Sequence, residues 1–133
     1  MTPLKVLVVD DNRDAADTLM LLLVTLGHEA VAAYNGAQAV EMASQFAPDC
    51  VIMDLDMPRM DGFTAAANLR AVFGQRVVLA ALSGLSRDDT AAQALAAGFD
   101  FHHAKPLTPV ALGALLASST KVRDAGLEAR PAS

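Results

Sequence analysis

The side chains in this chain that could do chemistry together are Asp10, Asp11, Asp54, Asp56, Ser83 and Lys105. Their spacing gives them away. Leu4 to Val9 runs into Asp10-Asp11, Cys50 to Met53 into Asp54, Val77 to Leu82 into Ser83, and Phe101 to Ala104 into Lys105. The first three are short apolar runs that read as strands and the fourth is a short strand, so each polar residue stands where a strand gives way to a loop. Open α/β sheets bind ligands at the carboxyl ends of their strands. Carboxylates gathered there repel, and each raises the cost of ionising the others. A hard divalent cation relieves that repulsion, and an all-oxygen set selects Mg²⁺ or Mn²⁺ over zinc. Ser83 adds a hydroxyl donor and Lys105 a positive charge, both suited to phosphoryl oxygens. A carboxylate that accepts a phosphoryl group is an established covalent intermediate. The set reads as an aspartyl-phosphate site centred on Asp54.

The elements that must position these groups alternate along the chain. Asn12 can cap a first helix, in which Leu19, Leu22, Leu23 and Leu26 form an apolar face and Gly27 stops the run. Glu29 to Ala33 is a short second strand. Asn35 with Gln38 resembles a capping box opening a helix that Pro48 ends. Pro58 turns the chain after the third strand. The third helix follows to Gly74, and the fourth opens at Ser86 and Asp89 and stops at Gly98. Thr108-Pro109 begins a fifth helix carrying Val110, Leu112, Leu115 and Leu116. Five strands alternating with five helices predict a three-layer α/β domain with parallel crossovers. The apolar periodicity fades from Ser118, so residues 1–118 read as the domain and 119–133 as a polar, mobile tail.

Composition excludes several classes of function. The 133 residues suit one domain, and 53% are hydrophobic, which excludes disorder. The longest apolar runs fall far short of the ~20 residues a membrane helix needs. No signal peptide is visible, so the expected location is the cytoplasm. The net charge is −5 with no Lys/Arg run, which argues against direct nucleic-acid binding. The single cysteine, Cys50, lies in an apolar run and reads as a buried, inert thiol.

Asp10-Asp11, Met53-Asp54-Leu55-Asp56-Met57-Pro58-Arg59-Met60-Asp61-Gly62, Ala81-Leu82-Ser83-Gly84 and Ala97-Gly98…Lys105-Pro106 together resemble the CheY-like receiver domain of two-component response regulators. The resemblance covers about residues 4 to 118. It implies a doubly wound (βα)5, flavodoxin-like fold with sheet order 2-1-3-4-5. It also implies that Asp54 is the phosphoacceptor, that Asp11 binds Mg²⁺ directly and Asp10 largely through water, and that Asp56 contributes its backbone carbonyl. Ser83 and Lys105 would contact the phosphoryl group, and Pro106 would follow a cis bond. One position departs from the family. Three residues before the lysine it usually has Tyr or Phe, where this chain has His102. His102 with Ser83 would be the switch pair, although the bland reading makes both His102 and His103 structural or solvent-facing.

By this resemblance the partners are a histidine kinase or a histidine phosphotransfer protein, plus an unspecified downstream protein. A homodimer and excision from a hybrid kinase are both compatible with it. The reaction would be limited to the chain's own phosphorylation and dephosphorylation. One rival is a degenerate receiver that serves only as an interaction module. Another is a haloacid-dehalogenase-type phosphatase, but in that family the D-x-D comes first and the acid pair last, the reverse of the order here. Asp61 and Asp100 read as caps or solvated loop residues. Met20, Leu21 and Val24, pointing outward from the first helix, are candidate docking residues for the phosphodonor.

Overall fold

The computed structural model describes residues 3–57, 61–84 and 88–128. Pro58, Leu85, the Ser86 cap and the segment from Ala129 to Ser133 lie outside them. The strands are β1 (Lys5–Val9), β2 (Glu29–Ala33), β3 (Cys50–Asp54), β4 (Val78–Ser83) and β5 (Phe101–Ala104). They form one parallel sheet in the expected order 2-1-3-4-5. The helices between and after them are α1 (Arg13–Thr25), α2 (Gly36–Phe46), α3 (Asp61–Phe73), α4 (Asp88–Ala96) and α5 (Pro109–Glu128).

Alternation along each strand divides the core into two halves. Leu7, Val9, Val51, Met53, Leu79 and Ala81 pack against α2, α3 and α4. Val6, Val8, Cys50, Ile52, Val78 and Ala80 pack against α1 and α5. Burial pushes the Cys50 thiol up to about 12, although the neighbouring Ser119 hydroxyl pulls the other way.

Local signals set the element ends. The Asn12 side chain accepts the Ala15 N–H at 3.1 Å. Gly27 takes φ +97°, and the N–H groups of Gly27 and His28 reach back to Val24 and Leu23, closing α1 as a Schellman motif. The Asn35 side chain accepts the Gln38 N–H, while Gln38 Oε1 accepts from Tyr34. The reciprocal arm of the box therefore lands one residue earlier than in the usual pattern.

Three expectations need correction. Leu22 and Leu26 are not core residues: they are 45% and 51% exposed, and the buried positions of α1 are Ala16 and Leu23. The helix is apolar from Leu19 to Val24, more than the sheet beneath can cover, so periodicity alone did not choose the face. Helix α5 does not end near Ser118 but continues to Glu128. Ser119 occupies a core position, fully buried, because its hydroxyl donates to Leu115 O at 2.9 Å, and Val122 packs beyond it. Val110, by contrast, is exposed.

Asp100, expected as a cap or solvated loop acid, is exposed but also structural. Its Oδ2 accepts the Leu79 N–H and pairs with Arg70 at 2.9 Å.

Candidate functional site

Parallel pairing brings the polar strand ends to one edge. Asp54 stands opposite Leu82, the Leu55 N–H continues the ladder to Leu82 O, and the Lys105 N–H donates to Ser83 O at 2.8 Å. The last residues of β3, β4 and β5 are thus held side by side by backbone bonds. Asp10 follows β1, with its N–H on Ala33 O. The Lys105–Pro106 bond is cis, as expected.

Asp54 is 3% exposed, the most deeply placed carboxylate of the edge. Its Oδ1 receives Lys105 Nζ at 2.7 Å and the Asp56 N–H at 2.9 Å. One ligand oxygen from each of Asp10, Asp11 and Asp54 lies within 4.8 Å of the others, and Asp11 is exposed. Burial, with the Asp54 charge beside it, pushes Asp10 up to about 6, against the pull of the Asn12 N–H on its Oδ1. Burial works to lower Lys105, but its hydrogen bond to Asp54 and the charges of Asp54, Asp10 and Asp56 outweigh it and hold the ammonium up. The carboxylates outnumber the lysine. The donor set, all hard oxygens with surplus negative charge, fits Mg²⁺ or Mn²⁺.

Asp56 was expected to act through its backbone. Its side chain also takes part: Oδ2 accepts the Gly84 N–H at 2.6 Å and lies 3.4 Å from Lys105 Nζ. The only trace of this in the sequence is the glycine after Ser83. A Cβ at Gly84 would stand 2.9 Å from Asp56 Oδ2. Ser83, 2% exposed, has its Oγ 2.8 Å from His102 Nε2, so His102 is tied to the site and is not simply solvent-facing. His103 instead stacks with Phe101 on the other face of β5. His28 is structural, with Nδ1 accepting the Leu4 N–H.

An open cleft of about 720 Å³ runs from Asp10 and Lys105 along α1 to Leu107. Ala15, Thr18, Leu19 and Leu22 line it. Met20, Leu21 and Val24 do not. Leu21 and Val24 are exposed, and Met20 is half-buried.

Residues 6–117 match the response regulator receiver domain family. This chain belongs to that family. The receiver is 36% identical over 106 residues to the transcriptional regulatory protein PrrA of Mycobacterium tuberculosis, covering 80% of this chain and 45% of PrrA. It is 40% identical over 82 residues to the chemotaxis protein CheY of Bacillus subtilis, covering 60% of this chain and 68% of that one. Against PrrA the chain spans less than half of the relative's length. In fold it matches the crystal structure of a response regulator receiver domain protein from Clostridium thermocellum at a TM-score of 0.83. That match has 22% identity and covers 91% of this chain and 97% of that one. No helix among the described residues is long and apolar enough to cross a membrane.

Proposed function

We propose that this receiver accepts a phosphoryl group on Asp54 from a phosphohistidine donor and changes its protein contacts as a result. The observation that carries the reading is the Lys105 ammonium 2.7 Å from a nearly buried Asp54 carboxylate, at an edge where Asp10 and Asp11 converge. Oδ1 of Asp54 holds both donors, Lys105 Nζ and the Asp56 N–H, which leaves Oδ2 to attack phosphorus. The new P–O bond forms as the P–N bond to the donor imidazole breaks. Lys105 offsets charge on the phosphoryl oxygens, and the Ser83 hydroxyl donates to one of them. Asp10, Asp11, Asp54 and the Asp56 carbonyl would hold Mg²⁺, which supplies charge neutralisation at the transferred group. Phosphoryl transfer needs little else from a protein than such positioning and charge.

The donor is a histidine kinase or a phosphotransfer protein, acting in the cytoplasm. We assign its docking to the cleft beside α1, with Leu22 at the centre and Met20, Leu21 and Val24 at most peripheral. Leu22→Asp slows transfer from a protein donor roughly tenfold or more and leaves phosphorylation by acetyl phosphate unchanged, whereas Leu21→Asp has the smaller effect. Equal slowing with both donors would mark a folding defect.

Intact mass after incubation with Mg²⁺ and acetyl phosphate tests the reaction itself. One phosphoryl adduct is expected, absent in Asp54→Ala and without Mg²⁺. A folded protein that takes up nothing would be an interaction module.

A further inference from the structure

The contact between Ser83 Oγ and His102 Nε2, at 2.8 Å, is a polar link between the strand end that faces Asp54 and the neighbouring strand. In the β4–β5 register His102 pairs with Ala81, and Ser83 with Ala104. The imidazole therefore reaches diagonally forward to the hydroxyl, on the sheet face that α3 and α4 cover. The link is short and nearly dry on the serine side, since Ser83 is 2% exposed, while His102 itself is half-buried.

A serine hydroxyl has one hydrogen and two lone pairs, and a ring nitrogen accepts when bare and donates when it carries hydrogen. Once Asp54 bears a phosphoryl group, the Ser83 hydrogen is wanted by a phosphoryl oxygen. The 2.8 Å contact then survives in one form only, with Nε2–H donating to Oγ. A Phe ring at this position offers no donor.

We propose that His102 is a positioning residue for Ser83. When Asp54 is phosphorylated, Nε2–H of His102 donates to Ser83 Oγ and aims the hydroxyl hydrogen at the phosphoryl oxygen. Hydrogen is conserved: any hydrogen gained at Nε2 is matched by one lost from Nδ1, exchanged with water at the half-exposed ring. The inference rests on the phosphoacceptor reading and adds to it a residue that never touches the phosphoryl group.

Two measurements test it. The first is the ¹⁵N spectrum of His102 with and without Mg²⁺ and beryllofluoride, a phosphoryl mimic. Nε2 carrying hydrogen in the loaded protein is expected, and a bare Nε2 there overturns the proposal. The second is the apparent affinity for beryllofluoride in a double-mutant cycle. His102→Phe weakens it roughly three- to tenfold, the effect of one hydrogen bond. His102→Gln, which sets an amide N–H near the Nε2 position, restores most of it. In a Ser83→Ala background His102→Phe adds nothing. A His102→Phe effect that persists without the serine hydroxyl would mean packing instead, and overturns the proposal. The two readings fail separately. If the wild-type chain forms no adduct with acetyl phosphate, the receiver chemistry itself is wrong. If it forms one and His102→Phe matches the wild type, only the role of His102 is lost.

Discussion

Two charged centres sit in this small domain, and they are built on opposite plans. At one, Arg70 and Asp100 are matched one to one. Arg70 Nε and Nη2 donate to Gly98 O, Nη1 donates to Gly74 O and Val77 O, and Nη2 pairs with Asp100. That fork ties the end of α3 to the start of β4 and to the turn before β5. At the other centre one lysine faces Asp54 and Asp56 directly, with Asp10 and Asp11 close by. Balanced charge, with every donor spent on a backbone carbonyl or on the partner carboxylate, is architecture. Unbalanced charge, with the donors gathered on one oxygen of Asp54 and the other left to react, leaves room for a cation and then for an incoming anion.

Breaking the balanced centre has the largest effect. Arg70→Met strands the carbonyls of Gly98 and Val77 and the Asp100 carboxylate. It costs about 2–3 kcal/mol, seen as a Tm lower by roughly 8–12 °C. The phosphoryl adduct per folded molecule stays at the wild-type level. A large loss of adduct with an unchanged Tm would mean that the two centres are not separate.

Relieving the unbalanced centre has a smaller and opposite effect. Asp10→Asn removes one of the crowded carboxylates, so it raises the Tm of the metal-free protein by a few degrees at pH 7, about 1 kcal/mol. The same substitution abolishes most of the Tm rise that Mg²⁺ gives the wild type. The pH dependence has a definite sign. Asp10, raised from 3.8 to about 6, holds its proton more tightly in the folded chain than in the unfolded one. Its contribution to metal-free stability is therefore lost as the pH rises from about 4 to about 6. The Tm of the wild type relative to Asp10→Asn falls across that window, and added Mg²⁺ reverses the fall. A difference that grows with pH would refute the crowding argument.

The smallest effect is expected at Gly84. Gly84→Ala puts a Cβ 2.9 Å from Asp56 Oδ2, but that carboxylate is half exposed and can swing aside. A Tm change within about 2 °C is expected; a drop comparable to Arg70→Met would show that Asp56 is as fixed as Asp100.

Strands β1, β3 and β4 and the identity of their edge residues were legible because each is a short apolar run bounded by a polar residue, a pattern that survives without neighbours. Less local features were not. The inward face of α1 could not be chosen among Leu19 to Val24, since the choice belongs to the sheet that covers it. The length of α5 was hidden by Ser119, a polar residue made compatible with the core by a bond to its own helix. Asp100 looked like a loop acid because its partner Arg70 is thirty positions away. The Asp56–Gly84 contact crosses between strands, so no spacing along the chain announces it, and Ser83 and His102 were paired through the family resemblance alone, which gave no hydrogen bond between them.

The buried Cys50 has a practical consequence. With its thiol pushed up to about 12 and fully covered, the thiolate fraction at neutral pH is on the order of 10⁻⁵, and reagents have no route to it. The native chain is therefore close to silent toward maleimides. A single Val24→Cys substitution, at an exposed position of α1 outside the cleft lining, would carry a fluorophore or spin label beside the cleft without a cysteine-free background being made first. The arrival of a partner could then be watched from this one position.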